Sequence, residues 1–267
     1  MSQALKIGIV GGSGWLGGAI AGSLLEAGVV RREDLVLSYR SRKPDRFHDA
    51  AWTADNRMLV DRSDVVVVSV RPADWPALSL DCAGRLVISV MAGIRLEHLA
   101  ARLGTTRVVR SLPNAAAAAG ASYTPWVAGG EVGDGDRAIV RTILDACGTQ
   151  DEFASERDID YLTGLSGSGP AFPALLAAAM VDDAVARGFP PDIARRAVDA
   201  VLVGTGRLVE RGGGHPRDVV QAFLDHRGTT AAAIDAMRAR GFEAAVAAGL
   251  AAAFDKAASM GGISIQG

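Results

Sequence analysis

Cysteine, lysine and clustered positive charge are all scarce in this chain of 267 residues. Its cysteines, Cys82 and Cys147, lie far apart and form no Cys-x-x-Cys pair. An oxidising compartment or a metal cluster normally requires more cysteines at closer spacing. We therefore predict no metal site, and we expect both cysteines to be buried as small apolar side chains.

The charge balance argues against two broad classes of partner. The sequence has 28 lysines and arginines against 30 aspartates and glutamates, for a net charge of −2, whereas nucleic acids and membrane surfaces are bound through clustered positive charge. No charged and then apolar leader of a signal peptide is visible. Apolar runs such as 171–181 are about half of the roughly 20 residues that a membrane span needs. The expectation is a cytoplasmic protein with no nucleic-acid or membrane partner.

Short β-branched segments alternate with helix-like stretches from Lys6 to about Val127. Strands are predicted at 7–10, 35–37, 65–70, 86–90 and 108–109. The segment 65–70 is almost entirely valine and therefore apolar on both faces, which is typical of a central strand in a parallel sheet covered by helices on both sides. The alternation predicts an α/β fold with a doubly wound parallel sheet.

Beyond about Glu156 the predicted strands end and Ala-rich segments follow. Helices are predicted at 173–187, 191–211, 215–224 and 229–259, with glycine and proline breaks that include 188–191 and 211–214. We predict a dinucleotide-binding domain over 1–155 and an all-α domain over 156–267. About 110 residues cannot cover so many apolar helices within one chain, so we expect the second domain to form a homodimer or a larger assembly of dimers.

A Gly-x-Gly-x-x-Gly motif at 12–17 directly follows the first predicted strand and opens a helix-like stretch. In this context the glycines make a tight turn, and the N–H groups at the helix start face a pyrophosphate. Without that context the motif would be an ordinary glycine-rich turn. Gly11 adds one glycine before the usual spacing. The predicted cofactor contacts in this loop are Gly12, Ser13, Gly14, Trp15 and Leu16.

The second predicted strand is followed by polar and basic residues, Ser38-Tyr39-Arg40-Ser41-Arg42-Lys43. An acidic residue about 20 positions after the glycines would bind an unphosphorylated ribose, and this segment has none. Arginine binds a phosphate bidentately, whereas a carboxylate repels it. We predict that Ser38, Arg40 and Ser41 contact the cofactor and that NADPH is preferred over NADH. The alternative is a solvated basic turn.

Glycines alternate with hydroxyl residues in the segment Leu162–Phe172, just before an Ala/Leu-rich stretch. Gly167 and Gly169 allow close backbone approach, Ser166 supplies a hydrogen-bond donor, and Pro170 suits a first helical turn. Taken alone, the segment fits a ligand-binding helix start and a tightly packed helix start equally well.

Together these segments resemble the pyrroline-5-carboxylate reductase family nearly from end to end. The resemblance rests on the glycine motif and on 64–72 (DVVVVSVRP), 86–93 (LVISVMAG), 108–114 (VVRSLPN), 160–172 and 228–230 (GTT). It implies a Rossmann-type domain followed by a helical dimerisation domain, with the active site between one subunit's nucleotide domain and helices of the dimer. The implied reaction is the reduction of a cyclic imine, 1-pyrroline-5-carboxylate, to L-proline.

The resemblance also implies roles for individual residues. Further cofactor contacts would come from Asn56, Val70, Arg71, Pro72, Met91, Ala92, Gly93 and Asn114. Ser166 would line the reaction chamber, Gly228 and Thr229 would bind the substrate carboxylate, and Thr230 would hydrogen-bond the ring nitrogen as the catalytic residue. Because the cofactor carries the hydride, the protein needs mainly to align the reactants. A plain helix N-cap would explain the Thr230 hydroxyl equally well.

Two segments depart from the family's pattern. The family reads Ser-Pro-Gly-Gly before its threonines, whereas this chain reads Asp225-His226-Arg227-Gly228, and residues 115–117 are alanines where the family has Thr-Pro-Ala. Asp225 would repel a substrate carboxylate unless a neighbouring cation compensates. Either Arg227 binds the carboxylate itself, or Asp225 receives a cationic or hydroxylated group of a different substrate.

Three other functions stay open at this stage. They are a related imine reductase with another substrate, a β-hydroxyacid dehydrogenase, and a non-catalytic NADP-binding dimer. The β-hydroxyacid dehydrogenases use a lysine of the helical domain, and the only lysine here beyond Lys43 is Lys256, close to the carboxyl terminus. We expect His48, His98 and His215 to be solvated or to cap helices rather than to act in catalysis.

Overall fold

The computed structural model describes residues 4–212 and 214–261. Gly213, which belongs to a predicted glycine break, lies outside the described residues, as do residues 262–267. The chain forms two compact units, which we call unit 1 (up to Ser168, together with the residues from Ala252 onward) and unit 2 (Gly169–Ala251). The division into domains at residue 155 stays a prediction.

Across the described residues, unit 1 contains a sheet of eight strands. They are β1 (Ile7–Val10), β2 (Leu35–Ser38), β3 (Ala51–Thr53), β4 (Val65–Val68), β5 (Leu86–Ser89), β6 (Val108–Ser111), β7 (Ser122–Ala128) and β8 (Gly148–Glu152). Their order is β3-β2-β1-β4-β5-β6-β7-β8, and neighbouring strands are parallel apart from the antiparallel pair β6 and β7. The chain reverses its direction of strand addition between β1 and β4, where such sheets bind ligands. The predicted doubly wound α/β fold is confirmed.

Helices cover both faces of this sheet. Unit 1 contains α1 (Trp15–Glu26), α2 (Asn56–Asp61), α3 (Leu96–Leu103), α4 (Asp134–Asp145) and α5 (Glu156–Leu162). Val65 and Val67 pack into one hydrophobic core, while Val66 and Val68 pack into a second. Each fully buried valine contributes roughly 1.5 kcal/mol or more. The valine run is therefore a central strand buried on both faces, as predicted.

A π-helical turn, Thr163–Gly167, follows α5 directly and is called the π-turn below. The Ser168 N–H donates to the Thr163 carbonyl at 2.9 Å, and the Thr163 hydroxyl donates to the Ile159 carbonyl at 2.7 Å. Pro170 then precedes the next helix with helical dihedrals. Turns of this kind are rare and occur frequently at functional sites.

Unit 2 is helical, with α6 (Ala171–Ala186), α7 (Pro191–Gly212), α8 (Pro216–Asp225), α9 (Thr229–Ala239) and the first half of α10 (Phe242–Gly261). The prediction of one helix over 229–259 was wrong, because α9 ends before Gly241, whose φ is +79°. Glycine adopts this left-handed conformation without strain and so ends the helix. Alanines on both sides of the break concealed it in the sequence.

The second half of α10 belongs to unit 1. There, Ala257 is buried, and the ring of Phe254 lies 6.4 Å from that of Tyr161, measured between centroids. The second half of α10 thus completes unit 1, which is otherwise formed by residues up to Ser168.

Among the described residues, the stretch Glu156–Ala186 is long and apolar enough to cross a membrane by length and composition alone. Unit 2 also exposes many large apolar side chains: Leu175, Met180, Val185, Phe189, Ile193, Val201, Val203, Leu208, Phe223, Met237, Phe242 and Val246. Such an extensive apolar surface is typical of a face that another protein molecule covers.

Candidate active site

A cavity of about 770 Å³ opens at the carboxyl ends of β1 to β5 in unit 1. Its lining includes Ser13, Gly14, Trp15 and Leu16 from the glycine motif, and Ser38, Arg40, Asn56, Val70, Arg71, Pro72, Met91 and Ala92 from the segments after the other strands. This volume is in the range of small-molecule and cofactor sites. The structure therefore brings most of the predicted cofactor residues together around one cavity.

The turn between β1 and α1 depends on Gly11 and Gly17. Gly11 has a φ of +82°, and a Cβ there would lie 2.4 Å from the Ser69 carbonyl oxygen. A Cβ on Gly17 would lie 2.5 Å from the Gly11 carbonyl oxygen. The additional glycine at position 11 thus makes the left-handed turn, and Gly17 lets α1 start directly against it.

Gly12 does not line the larger cavity, unlike the four residues that follow it. It is buried, and its missing Cβ would lie 3.0 Å from the side chain of Leu37. The N–H groups of Trp15 and Leu16 belong to the first turn of α1, whose donors have no partner within a helix. These helix-start groups suit an anionic pyrophosphate.

Ser38 fastens the end of β2 to the glycine loop. Its hydroxyl accepts a hydrogen bond from the Gly11 N–H at 3.0 Å, and its carbonyl accepts one from the Ser13 N–H at 3.1 Å. The predicted contact of Ser38 with the cofactor stays a prediction. The hydrogen bond with Gly11 shows that Ser38 also holds the glycine loop against the end of β2. The spacing of residues along the sequence does not reveal this contact.

Arg40 and Arg71 approach the same carboxylate from two strand ends. Asp74 accepts hydrogen bonds from Arg71 Nε at 2.8 Å and from Arg40 Nη1 at 3.1 Å. The Arg71 guanidinium, with a smaller contribution from Arg40, lowers the pKa of the Asp74 carboxyl from its ordinary value. The Arg40 side chain remains 75% exposed, so it is accessible to a ligand.

Beside Arg40 lies a second cavity, of about 550 Å³. It is lined by Ser13, Arg40, Ser41, Arg42, Lys43, Pro44 and Asp45. Three cationic side chains against one carboxylate, together with the Ser41 hydroxyl, form a donor set that fits a phosphate. Ser41 therefore lies in this cavity rather than in the larger one.

Gly93 and Asn114, like Gly12 and Ser41, are predicted cofactor residues that do not line the larger cavity. Gly93 has a φ of +75°, and a Cβ there would lie 2.6 Å from the Cβ of Met260 in α10. Asn114 is buried, and its Nδ2 donates to the Ser166 carbonyl at 2.9 Å while its Oδ1 accepts from the Ala116 N–H at 2.9 Å. Asn114 thus links the end of β6 to the π-turn.

The sequence analysis did not identify a buried charge cluster beside the π-turn. Arg110 of β6 is 1% exposed and donates to Asp160 at 2.5 Å and to Glu156 at 3.1 Å, both on α5. Arg95 also approaches Asp160, at 3.6 Å. The only indication in the sequence was an arginine inside the otherwise apolar strand VVRS. The cluster fixes α5, and with it the start of the π-turn, against the sheet.

The predicted substrate residues lie in unit 2, apart from Ser166. Gly228 is the N-cap of α9, and no side chain caps this helix, so Thr230 is not an N-cap residue. Thr229 and Thr230 are exposed in the first turn of α9, where the helix dipole and N–H groups favour an anion. The hydroxyl of Thr230 is therefore not committed to capping.

The altered segment before α9 forms a tight turn. Asp225 ends α8 and accepts a hydrogen bond from Gln221 at 2.8 Å. His226 Nδ1 lies 2.5 Å from the Ala222 carbonyl oxygen. Arg227 has a φ of +48°, in the left-handed region that favours glycine. Glycine would adopt this conformation without strain.

The cysteines and His215 behave as predicted. Burial raises the pKa of the Cys82 thiol to about 12 and that of Cys147 to about 11, so both are protonated near neutral pH. His215 caps α8, because its Nδ1 accepts from the Arg217 N–H at 3.0 Å and the Asp218 carboxylate accepts from the His215 N–H in return. These groups are structural.

Comparison with known proteins gives one consistent result. Residues 156–260 match the sequence model of a family described as pyrroline-5-carboxylate reductase dimerisation. Residues 6–93 match a family described as NADP oxidoreductase, coenzyme F420-dependent.

Individual relatives match over nearly the whole chain. Pyrroline-5-carboxylate reductase of Thermus thermophilus is 35% identical over 242 residues, which cover 88% of this chain and 90% of the relative. Pyrroline-5-carboxylate reductase 3 of Rattus norvegicus is 30% identical over 262 residues, 95% of each chain. The structure of a pyrroline-5-carboxylate reductase from Coxiella burnetii superposes with a TM-score of 0.87 at 25% identity and covers 97% of this chain and 99% of the other.

Proposed function

The chain belongs to the pyrroline-5-carboxylate reductase family, and from this premise we propose that it reduces 1-pyrroline-5-carboxylate to L-proline with NADPH. It is an NAD(P)H-dependent oxidoreductase that acts on the CH–NH group. The observation that carries the proposal is the cavity at the carboxyl ends of β1 to β5, where the glycine loop, the basic end of β2 and Met91 with Ala92 share one lining.

NADP is the cofactor that this lining suits. In its reduced form, NADPH, the bound cofactor would supply the hydride that reduces the C=N carbon, and it would leave as NADP⁺. The first turn of α1 provides N–H donors for the pyrophosphate, and Arg40, Ser41, Arg42 and Lys43 surround space for a 2′-phosphate. The same residues support a preference for NADPH over NADH, because NADH has no 2′-phosphate to pair with them.

We assign the substrate to residues at the start of α9 and to the π-turn. The N–H groups of Gly228 and Thr229 and the guanidinium of Arg227 bind the carboxylate, and the Thr230 hydroxyl orients the ring nitrogen. A protonated imine already carries its activation, so these groups act by alignment and charge balance rather than as strong acids. Ser166, whose hydroxyl donates to the Leu162 carbonyl at 2.9 Å, shapes the chamber through its backbone.

A second substrate is favoured by one observation, the carboxylate of Asp225 at the end of α8, three positions before the N-cap of α9. A cyclic imine that carries a cationic or hydroxylated substituent would pair with Asp225, whereas a bare pyrroline carboxylate would not. The reaction type is the same for both substrates.

The working form is a homodimer or an assembly of dimers. The apolar side chains exposed on unit 2, together with the match of residues 156–260 to a dimerisation family, support a second copy of this chain as their partner. Contact with this second copy would also explain why the stretch Glu156–Ala186 is so apolar. No membrane is then needed to explain it. We propose that the enzyme acts in the cytoplasm and binds neither nucleic acid nor membranes.

A steady-state assay tests the proposal. The purified protein is mixed with NADPH or NADH and with 1-pyrroline-5-carboxylate or other cyclic imines, and the loss of cofactor absorbance is followed. We expect turnover with 1-pyrroline-5-carboxylate and a higher kcat/KM with NADPH. Turnover confined to another cyclic imine would favour the second substrate. The proposal would be overturned if no cyclic imine were reduced, or if only 2-hydroxy or 3-hydroxy acids were turned over.

A further inference from the structure

Arg46, on the segment between β2 and β3, supports the glycine loop without lining the larger cavity. Its Nη2 donates to three successive carbonyl oxygens of the loop, those of Gly12 at 3.1 Å, Ser13 at 3.1 Å and Gly14 at 2.9 Å. A single cation thus gathers the carbonyl groups of the loop that is expected to bind the pyrophosphate.

The chain holds Arg46 in this position by an unusual backbone conformation. Phe47 has a φ of +50°, and its carbonyl and that of Arg46 both accept from Trp52 Nε1, at 3.3 and 3.2 Å. The guanidinium carbon of Arg46 lies 5.6 Å from the centroid of the Phe47 ring. A left-handed phenylalanine is costly, so this geometry persists because its neighbours fix it.

The direction of these hydrogen bonds determines what Arg46 does. In a planar trans peptide the C=O and the following N–H point in opposite directions. The Ser13 and Gly14 N–H groups are used within the protein, by the Ser38 and Gly11 carbonyls. The Trp15 N–H shares its peptide with the Gly14 carbonyl that Arg46 binds at the shortest distance. A charged donor on that carbonyl polarises the peptide and strengthens its N–H as a donor.

We propose that Arg46 is a positioning residue for the dinucleotide. Its hydrogen bonds to the loop carbonyls fix the peptide whose N–H is expected to face the pyrophosphate. The affinity for NADPH therefore depends on a residue that does not touch the cofactor. This inference rests on the proposed use of the cofactor and does not depend on the identity of the imine.

The direct test compares wild type with Arg46→Ala and Arg46→Lys. Fluorescence titration gives the Kd for NADPH without any imine, and steady-state kinetics give kcat and KM. We expect Arg46→Ala to raise the Kd and the KM for NADPH about 10-fold, which equals 1.4 kcal/mol, with kcat within about twofold. Arg46→Lys, which keeps a single cationic donor, should recover part of the affinity. Equal Kd values in all three proteins would overturn the proposal.

Gly18 gives an independent way to displace Arg46 while leaving that residue in place. A Cβ on Gly18 would lie 2.2 to 2.3 Å from the atoms of the guanidinium, which must then move. Gly22, one turn further along α1, is the matched control, because its Cβ would lie at an ordinary 3.8 Å from Phe47 Cζ. Both substitutions introduce the same better helix former. We expect Gly18→Ala to raise the Kd as Arg46→Ala does, and Gly22→Ala to leave it unchanged.

A double-mutant cycle completes the experiment. If Gly18→Ala acts through Arg46, adding it to Arg46→Ala produces no further rise in Kd. Additive effects, or a normal Kd in Gly18→Ala, would show that Arg46 does not position the loop. A wild type that binds NADPH but reduces no imine would refute the proposed substrate and leave this cycle interpretable.

Discussion

Arg227 occupies a left-handed turn in which a residue with a Cβ is strained. Such a conformation costs about 1–2 kcal/mol. A glycine at this position would avoid that cost, but its greater freedom in the unfolded chain would offset part of the gain. We expect Arg227→Gly to raise the free energy of unfolding by roughly 0.5–1 kcal/mol, measured by urea denaturation at fixed protein concentration. If Arg227 binds the substrate carboxylate, the same change raises KM for the imine.

Arg240→Gly is the matched control for this substitution. Arg240 follows α9 with a φ of −93°, where glycine relieves no strain. Its replacement should lower the stability slightly through the entropy of the unfolded chain. Equal stabilisation by both substitutions would contradict the assignment of strain to Arg227.

Thr230 carries the second prediction at this scale. Its hydroxyl is exposed in the first turn of α9, which Gly228 caps without a side chain. Thr230→Ala is expected to lower kcat by 10-fold or more, on the order of a lost aligning hydrogen bond, with the Kd for NADPH unchanged. Thr230→Ser keeps the hydroxyl and should retain most of the activity. An unaffected kcat in Thr230→Ala would show that the Thr230 hydroxyl does not orient the ring nitrogen.

The glycine motif and the family resemblance predicted most of the residues that line the cavity but not what their side chains bind. Ser38 and Asn114 were both predicted to contact the cofactor. Their hydrogen bonds to Gly11 and to Ser166 join segments 27 and 52 positions apart. Such partners depend on the tertiary fold, which no local pattern encodes.

At the scale of elements, the link between β6 and α5 depends on a buried ion cluster. Removing one partner of a buried ion pair leaves the other charge uncompensated and costs about 3–5 kcal/mol. We therefore expect Asp160→Asn to lower the free energy of unfolding by about 3 kcal/mol, the lower end of this range, because Arg110 is 1% exposed but keeps Glu156 as a second partner. Chemical denaturation measures the change.

Asp183→Asn provides the control for a surface ion pair. Asp183 pairs with Arg187 on the exposed side of α6, at 2.7 Å, and an exposed pair of this kind contributes little to stability because water and salt screen the charges. A loss in Asp160→Asn no larger than that in Asp183→Asn would mean that the cluster does not hold α5.

Strands with an apolar pattern were predictable, and polar or very short strands were not. The valine run of β4 could be assigned from its burial pattern alone. In contrast, β8 reads Gly-Thr-Gln-Asp-Glu at one sheet edge, and β3 has three residues at the other. Edge strands are paired on one side only, so their sequences need not be apolar.

At the scale of the whole molecule, the exposed apolar face of unit 2 predicts the oligomeric state. Leu175 of α6 is 73% exposed, which is costly for a leucine unless a partner covers it. We expect Leu175→Glu to shift the assembly toward monomers, as measured by sedimentation velocity over a range of concentrations. Met58→Glu, on an exposed apolar residue of unit 1, should leave the assembly unchanged. Unaltered sedimentation of Leu175→Glu would place the interface elsewhere.

The sequence predicted the α/β sheet followed by helices, because periodicity changes clearly near residue 156. It did not predict that α10 returns to unit 1, since an Ala-rich helix reads the same wherever it packs. The packing of the second half of α10 in unit 1 depends on tertiary contacts such as that of Met260 with Gly93.

The return of α10 has a consequence for how the protein is made. A chain leaves the ribosome amino terminus first, and domains commonly fold in that order. Here the sheet emerges well before α10, the helix that covers Gly93 and Tyr161. Unit 1 therefore cannot finish folding until α10 has emerged, and a polypeptide stalled before Ala252 would present an incomplete sheet domain to chaperones and proteases.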